Sequence, residues 1–384
     1  MIRSIRQRWL SFFARFRSPI RSFVCNVADS QKWALLSYLP DAINLTDNDK
    51  RLKGHSNWWE CRELARILFS FGFNIESISH GDHRTKPKRH YDLILDIATN
   101  LQRLAPEQKR ATFILLLTGS HYDWTKRAEA KRVEDFTRRH GVAYRPRYST
   151  VSPEELNRSL EIADCCLLIG NEITLKTYPE RFQRKIRLVP VSGSKTSFLK
   201  NFDQPRTGSF LYFSTPRNVL KGLDLVLDVF LRHSEWRLHI VGNVDSENDF
   251  MAAYPDVGKC RNIRFHGFLL PSSKRFEGIV EMCDAVILPS CSEGTSTSVL
   301  TCTQMGLYPI ISKHTGVSLP EGCGVWIENL SPDGVESAVS AFCAKPMEEI
   351  RREAKEIQRN HLHHHSREAF SNSIRTYLEQ ALHQ

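Results

Sequence analysis

A short apolar run that stops at a proline constrains the fold of this 384-residue chain more than any other feature. Residues 285–288 (Ala-Val-Ile-Leu) end at Pro289, as a buried parallel strand does. A polar loop follows at 290–296, and apolar residues then return at helical spacing before a second strand. The stretch 284–312 therefore predicts a strand–loop–helix–strand unit. Its loop lies where open α/β sheets bind ligands, and the N–H groups at the helix start, 296–298, suit a phosphate.

The same alternation of strands and helices fills the chain on both sides of a polar linker at 192–208. It predicts an α/β fold with two Rossmann-like domains, 29–200 and 208–345, followed by C-terminal helices at 346–384 that cross back to the first domain. The predicted strands lie at 33–37, 73–78, 91–95, 112–117, 165–169 and 186–189, then at 210–213, 237–241, 263–266, 285–288, 308–311 and 325–327.

The N-terminal segment 1–28 has a different character. Residues 2–17 place aromatic and aliphatic side chains near one helical face, and six arginines precede the first acidic residue, Asp29. A basic amphipathic helix of this kind lies in a membrane interface, although it is too short and too charged to span a bilayer. We expect residues 1–22 to contact an anionic membrane surface. The alternative is a helix that packs on the protein itself.

Charge and cysteine content bound the partners and the compartment. The net charge is +10, and subtracting the six N-terminal arginines leaves +4 (10 minus 6), too weak a bias to indicate nucleic-acid binding. Ten cysteines occur without a C-x-x-C pair, and the N-terminus lacks the apolar core of a secretory signal. These features predict reduced thiols in the cytoplasm, with the protein peripheral on the cytoplasmic face of the membrane.

The stretch 284–312 also carries a family resemblance. Pro289-Ser290 and Glu293-Gly294 resemble the donor-site segment of GT-B fold glycosyltransferases, in particular the retaining family 4, also called glycosyl transferases group 1. In that family the first Glu holds donor-sugar hydroxyls, and a second Glu, eight residues later, holds the ribose. Position 301 is Thr here, so the resemblance implies a neutral and shorter ribose contact. The implied donor-binding residues are Glu293, Gly294, Thr295, Ser296 and Thr301. An ordinary βαβ connection is the alternative.

A second loop, 214–222, follows a strand and places Arg217 and Lys221 before a helix. Side-chain charge and the N–H groups of a helix start both favour an anion there. The loop resembles the family 4 segment in which an Arg and a Lys neutralise the donor diphosphate, a catalytic role that helps the leaving group. Gly267 and Phe268, which follow another strand, resemble the pair that lines the nucleobase pocket. Two solvated surface cations are the alternative for Arg217 and Lys221.

The N-terminal domain offers weaker candidates. His121 follows the strand at 112–117, in a loop where family members often carry a His-Asp pair, and we predict a catalytic or acceptor-orienting imidazole. A loop histidine without function is the alternative. The resemblance also suggests cleft positions for Gly54 and His55, which match an early glycine loop, and for Asn171 and Glu172.

Two further patterns resemble metal sites but have the wrong context. Asp47-Asn48-Asp49 matches the D-x-D of metal-dependent glycosyltransferases, yet it lies in a polar loop where a GT-B protein needs no metal. His361 and the run 363–365 have no Cys or carboxylate partner at zinc spacing. We therefore expect no metal and no resident cofactor.

Together the resemblance implies a GT-B fold with its active site in the cleft between two domains. The resemblance implies a reaction that transfers a sugar from a nucleotide-sugar to a glycan or lipid-linked acceptor with retention. Because no carboxylate pair is evident for a double displacement, the implied route is front-side attack assisted by the leaving diphosphate. Two alternatives stay open. One is a nucleotide-sugar epimerase or a phosphorylase on the same fold, and the other is a degenerate, non-catalytic sugar-nucleotide-binding protein, suggested by Thr301. Hydrolysis of UDP- or GDP-sugars separates active from inactive.

Overall fold

A computed structural model of the chain describes residues 20–24, 30–54, 56–146 and 152–383. Nearly all of the amphipathic segment predicted at 1–22, and His55 of the early glycine loop, lie outside the described residues. The described residues form two α/β domains, each built on one sheet, as the sequence predicts. Within them, no helix combines the length and the apolar character needed to cross a bilayer.

The N-terminal sheet has, among the described residues, the strand order β1-β3-β2-β4-β5-β6-β7. All neighbours are parallel except β1 and β3. The inner strands are apolar and buried almost throughout, because helices cover both faces of the sheet. The strands are β1 (Arg21–Phe23), β2 (Trp33–Tyr38), β3 (Asn74–Ser79), β4 (Leu93–Asp96), β5 (Thr112–Leu117), β6 (Cys165–Ile169) and β7 (Ile186–Val189). The helices are α1 (Ser56–Ser70), α2 (Leu101–Leu104), α3 (Tyr122–His140), α4 (Pro153–Ile162), α5 (Glu172–Leu175) and α6 (Glu180–Gln183).

The C-terminal sheet is parallel throughout its described strands, in the order β10-β9-β8-β11-β12-β13. The strands are β8 (Ser209–Phe213), β9 (Arg237–Val241), β10 (Ile263–Phe265), β11 (Ala285–Leu288), β12 (Tyr308–Ile311) and β13 (Val325–Trp326). The helices are α7 (Leu223–Phe230), α8 (Asn248–Met251), α9 (Lys274–Met282), α10 (Thr297–Gln304), α11 (Pro332–Ala344), α12 (Met347–His364) and α13 (Arg367–Leu382). Short 3-10 turns lie at Pro40–Ala42, Lys50–Lys53, Ala105–Glu107, Val244–Ser246, Val257–Lys259 and Lys313–Thr315.

The predicted unit at 284–312 is present as β11, a polar loop, α10 and β12. β11 and β12 are neighbours in the sheet, with Ala285 opposite Tyr308. Both strands have the bounds that the sequence predicts. The loop therefore lies at the carboxyl edge of the sheet, where it follows the central strand β11.

The boundary predicted between residues 28 and 29 is too late. Arg21–Phe23 pairs antiparallel with β3, the hydroxyl of Ser22 donates to Glu76 at 2.9 Å, and Ile20 is buried. The N-terminal domain thus includes Ile20, and the last residues of the predicted membrane segment belong to a sheet. A strand of three residues is too short to show an alternating pattern in the sequence.

The C-terminal tail lies against both domains. α12 packs on α10 in the C-terminal domain, whereas α13 lies on α1 in the N-terminal domain. The ring of Phe370 meets Trp59 edge-on at 5.4 Å, the hydroxyl of Ser371 donates to Glu63 at 2.8 Å, and Arg375 donates to the hydroxyl of Ser70 at 2.7 Å. The tail consequently spans the two domains.

Two of the tail histidines hold the helix in place. The ring of His361 is buried, with Nδ1 2.7 Å from the hydroxyl of Thr303 and Nε2 2.9 Å from the carbonyl oxygen of Ser318. Burial lowers the pKa of His361 to about 4. His365 Nδ1 lies 3.1 Å from the carbonyl oxygen of Val191 in the linker. These contacts fix the tail against α10 and the linker.

A buried ionic cluster joins the two domains through α3. The guanidinium of Arg132 donates to both carboxylate oxygens of Asp224 in α7, at 2.6 and 2.8 Å. Arg139, one helical repeat later, also pairs with Asp224 and with Asp228. The side chain of Asp224 is fully buried and that of Arg132 is 4% exposed. Because each charge depends on the other domain for its partner, the cluster fixes how α3 and α7 pack.

Replacing Asp224 with Asn should destabilise the protein, because it leaves the buried Arg132 cation without its counter-charge. Removing one partner of a buried pair costs about 3 kcal/mol or more, so urea denaturation should show a loss of that size in the free energy of unfolding. Arg127→Gln is the matched control, because Arg127 pairs with Asp123 on the same helix and both side chains are at least half exposed. That change should cost less than about 1 kcal/mol. Equal effects of the two changes would contradict the account.

Candidate active site

The carboxyl edges of the two sheets face one another across a cavity of about 640 Å³, here called the large chamber. Both domains contribute walls. The N-terminal wall includes Tyr38, Gly54, Glu60, His80 and Thr118, and the C-terminal wall includes Arg217, Lys221, Phe268, residues 293–298 and Thr301.

A second cavity of about 340 Å³, the small chamber, adjoins the large one on its N-terminal side. The two chambers share wall residues from both domains, so they meet at one junction. The shared residues are His80, Ile97, Thr118, Arg217, Glu293 and Gly294. Most of the remaining small-chamber wall consists of hydroxyl-bearing and apolar side chains, among them Leu117, Ser120, Tyr122, Thr125, Leu156, Tyr178 and Ser292.

The loop 290–296 holds the junction together. The hydroxyl of Ser120 donates to the carbonyl oxygen of Glu293 at 2.8 Å, and that of Thr174 donates to the carbonyl oxygen of Gly294 at 3.2 Å. A Cβ atom at position 294 would lie 2.6 Å from the carbonyl oxygens of Thr118 and Ile169. Only glycine fits there, and its absence of a side chain lets the donor-type loop touch the N-terminal domain.

Glu293 and Lys221 form an ion pair at the junction. Lys221 Nζ lies 2.8 Å from Glu293 Oε1, and the hydroxyl of Ser290 donates to the same oxygen at 3.2 Å. Gly222 allows this approach, because it has φ of 75° and a Cβ there would lie 2.4 Å from the carbonyl oxygen of Pro289. The side chains of Lys221 and Glu293 are 13% and 18% exposed, so a ligand in the chamber can reach both.

Arg217 has an unusual backbone conformation, which is held by hydrogen bonds to Glu247. Its φ of 90° is the only positive φ of a non-glycine among the described residues. Its N–H and that of Asn218 both donate to the carboxylate of Glu247, which also accepts from the hydroxyl of Tyr144 at 2.8 Å. The prediction of N–H groups available to an anion at this loop is therefore wrong, since Glu247 occupies them. α7 begins only at Leu223, and the loop presents side-chain charge instead.

The available N–H groups belong to α10. Its N-cap, Ser296, makes no capping bond with its side chain, and no described residue accepts from the N–H groups of Thr297 or Ser298. Residues 295–298 line the large chamber. The positive end of this helix therefore points to the same space as Arg217 and Lys221, an arrangement that favours a phosphate.

Thr301, the residue at the second Glu position, is buried on α10 with 1% exposure. Its hydroxyl donates to the carbonyl oxygen of Thr297 at 2.7 Å and accepts from the N–H of Ser194 at 2.9 Å. A Cβ at Gly193 would lie 3.0 Å from the nitrogen of Thr301, so the linker presses on this position. One lone pair of the hydroxyl remains for a ligand.

Phe268 presents an aromatic ring to the large chamber and is 62% exposed, although it is a large apolar side chain. Gly267 precedes it with φ of 67°, a conformation that glycine adopts without strain. An exposed ring beside a polar cavity suits stacking against a planar ligand.

His121 does not reach either chamber. Its ring is buried, with Nδ1 accepting from the N–H of Asp123 at 3.3 Å and Nε2 donating to the amide oxygen of Asn157 at 3.1 Å. Burial lowers the pKa of His121. Both ring nitrogens have partners within the protein, so the prediction of a catalytic imidazole at 121 conflicts with its position at the N-cap of α3.

Asn171 and Glu172 also lie outside the chambers. The amide oxygen of Asn171 caps α5 by accepting from the N–H groups of Ile173 and Thr174, and Glu172 is exposed. Asn171 instead bridges the domains, donating to the hydroxyl of Ser318 at 3.4 Å. Of the four weaker cleft candidates, Gly54 lines the large chamber and His55 is outside the described residues.

The sequence analysis missed several chamber residues, among them Tyr38 at the end of β2, Glu60 in α1, and His80 after β3. Glu60 is 3% exposed, its carboxylate lies 3.4 Å from the hydroxyl of Tyr38, and burial raises its pKa to about 6. His80 could have been identified from its position, because it directly follows a strand that the sequence predicts.

The D-x-D residues serve local ion pairs. Asp47 pairs with Arg62 at 2.8 Å, and Asp49 pairs with Arg51 at 2.8 Å, which lowers the pKa of Asp49 to about 2. No group of three or more metal-ligating side chains occurs in the part of the chain that the structure describes.

Comparison with known proteins shows the fold of the chain and a family match over part of it. Residues 208–345 match the sequence model of the family described as Glycosyl transferases group 1. No curated protein matches the chain. Solved structures resemble it over nearly its whole length at low identity.

Sucrose-phosphate synthase from Thermosynechococcus elongatus has 13% identity and a TM-score of 0.64, covering 91% of this chain and 98% of its own. Anabaena HepE in complex with UDP-glucose has 11% identity and a TM-score of 0.58, with 91% and 99% covered. A glycosyltransferase from Rickettsia africae has 11% identity and a TM-score of 0.55, with 92% and 99% covered. At such identities the likeness establishes the GT-B fold. Residues 208–345 of this chain thus resemble the group 1 family of glycosyl transferases, and the chain has the GT-B fold.

Proposed function

We propose that the protein transfers a sugar from a nucleotide-sugar to a glycan or lipid-linked acceptor, with retention and without a metal or resident cofactor. One observation carries the proposal. The uncapped start of α10, Lys221 and Arg217 all border one chamber that is large enough for a nucleotide-sugar. The HepE structure holds UDP-glucose, which makes this compound the first donor to test.

In this proposal the donor diphosphate lies against the N–H groups of Thr297 and Ser298. Lys221 then exchanges its bond with Glu293 for a phosphate oxygen, which a flexible ammonium can do without movement of the backbone. Glu293 is released to accept hydrogen bonds from hydroxyls of the donor sugar. The aromatic ring of Phe268 stacks on the nucleobase at the far side of the chamber.

In the transfer step one bond to the anomeric carbon breaks and another forms. The bond between the anomeric carbon and the phosphate oxygen breaks, and its electron pair leaves with the nucleoside diphosphate. An acceptor oxygen attacks from the same face and bonds to the anomeric carbon, while its proton passes to the leaving diphosphate. Fixed cations beside that diphosphate, Arg217 and Lys221, stabilise the charge that develops on it.

A non-catalytic sugar-nucleotide-binding protein is the second candidate, because Thr301 uses its hydroxyl inside the protein and offers the ribose little. Incubating the full-length protein with UDP-, GDP- and ADP-sugars in the presence of EDTA separates the two. We expect release of a nucleoside diphosphate from at least one donor and, when methyl glycosides are added as acceptors, an α-linked product from an α-linked donor by NMR. Binding without release would favour the second candidate.

Lys221→Met and Arg217→Gln should each slow sugar transfer or donor hydrolysis about 100-fold, because each removes a cation that stabilises the leaving diphosphate. Initial rates of nucleoside diphosphate release measure the effect. Lys274→Met is the control, since Lys274 belongs to the same domain with its side chain 96% exposed. Normal rates in both variants would show that the diphosphate binds elsewhere.

Glu247→Gln should weaken donor binding by acting through Arg217. The amide offers one acceptor where the carboxylate offers two, so one of the N–H groups of Arg217 and Asn218 meets a donor. We expect the KM for the donor to rise about tenfold. In an Arg217→Gln background the same change should have little further effect, because coupled residues are not additive. Additive losses would mean that Glu247 acts independently of Arg217.

We also propose that the protein is cytoplasmic and binds the membrane surface peripherally through its N-terminal segment, on the sequence evidence of its arginines and aromatic residues. Deleting residues 1–19 should abolish co-sedimentation with vesicles containing phosphatidylserine while leaving the fold intact. The deletion stops before Ile20, because Ile20 and β1 belong to the N-terminal domain. Binding of the full-length protein should weaken with salt. Failure of the full-length protein to bind at low salt would refute the proposal.

A further inference from the structure

His80 lies at the junction of the two chambers, in the wall of both. Its position is fixed by the carbonyl oxygen of Tyr38, which accepts from the backbone N–H of His80 at 3.0 Å and lies 3.2 Å from its Nδ1. The carbonyl oxygen of His80 accepts from the amide of the buried Asn100 at 3.2 Å. The residue is thus held on both sides of its backbone and at one ring nitrogen.

This bonding determines the tautomer of the imidazole. A carbonyl oxygen only accepts, so Nδ1 carries the proton that it donates to Tyr38. In a neutral imidazole the other nitrogen, Nε2, is then a hydrogen-bond acceptor. No described residue bonds to Nε2, and His80 is half-buried rather than enclosed. This contrasts with His121, whose two ring nitrogens both have partners.

The small chamber has the chemistry of a site for an uncharged polyol. The charged residues of its wall are Arg217 and Glu293. Both also line the large chamber, where the donor is proposed to bind. The rest of the wall provides hydroxyls and the aromatic rings of Tyr122 and Tyr178. Rings and hydroxyls together suit a sugar, whose faces are apolar and whose edge is polar. A phosphate or carboxylate would find no cation of its own there.

We propose that the small chamber binds one sugar ring of the acceptor, and that Nε2 of His80 accepts a hydrogen bond from a hydroxyl of that ring. This inference rests on the proposed function, and it assigns to His80 the acceptor contact that the sequence suggested for His121. The hydroxyl bound to His80 neighbours the one that attacks, because the junction is where the donor and acceptor chambers meet.

Two substitutions of His80 distinguish the role of Nδ1 from that of Nε2. Asn at position 80 places an amide near the Nδ1 position and keeps a donor for Tyr38, but it leaves nothing at the Nε2 position. Gln reaches further and offers an acceptor oxygen there. With UDP-glucose as donor and a panel of methyl glycosides as acceptors, His80→Asn should raise the acceptor KM about tenfold or more, and His80→Gln should restore most of the loss.

Neither variant should change the affinity for UDP in calorimetry or the melting temperature. His121→Gln is the matched control, and it should lower the melting temperature with little effect on the acceptor KM. Equal acceptor KM values for Asn and Gln at position 80, or a joint loss of UDP binding, would overturn the assignment.

A binding measurement keeps this test independent of turnover. In full-length protein labelled with ¹⁵N-histidine and saturated with UDP, the His80 ring should show a protonated Nδ1. Its Nε2 resonance should shift on addition of at least one methyl glycoside from the glucoside, galactoside, mannoside and N-acetylglucosaminide. A shift without turnover would support the acceptor contact while counting against the proposed reaction. No Nε2 shift with any of the four would overturn the inference, whether or not the protein releases nucleoside diphosphate.

Discussion

The contact of Gly294 with the N-terminal domain is the constraint on which the site depends. Carbonyl oxygens of Thr118 and Ile169 lie where a side chain would begin, and Gly316, at φ of 67°, closes the third side. With its glycine enclosed by backbone, the loop 290–296 has one position relative to the N-terminal domain. Glu293 is consequently held at the junction of the two chambers and faces Lys221.

A second contact between the domains positions the cations of the cleft. α3 reaches from the N-terminal sheet to α7 through Arg132 and Asp224, and Tyr144, just beyond α3, bonds to Glu247. Glu247 in turn holds the N–H groups at the start of the 217–222 loop. The packing of the two domains therefore also orients the candidate diphosphate site, largely through buried charged groups that bond across the interface.

The sequence predicts those parts of the protein that depend on local pattern. Continuous apolar runs ending at glycine, proline or polar residues located strands such as β11 and β12, because buried parallel strands need no alternation. The resemblance of the loops after β8 and β11 to donor-site segments placed both Lys221 and Glu293 in one expected donor site. Both lie in segments where chain direction alone brings polar residues to the edge of the sheet.

The remainder depends on partners distant in sequence. Glu247 takes the N–H groups of Arg217 from thirty positions away, and Asn157 takes the ring of His121 from thirty-six. Neither pairing leaves a trace in local spacing. The sequence therefore predicted free N–H groups at the 214–222 loop as well as at 296–298, and it assigned a catalytic role to a histidine that caps a helix. His80 illustrates the converse, since only the meeting of two chambers distinguishes it from other residues that follow strands.

A crystal structure of the protein with a bound nucleoside diphosphate tests the central claim most directly. We predict phosphate oxygens within hydrogen-bond distance of the N–H groups of Thr297 and Ser298. We also predict that Lys221 has turned from Glu293 to the phosphate and that the base lies against Phe268. A diphosphate bound away from the start of α10, with the Lys221–Glu293 pair intact, would contradict it.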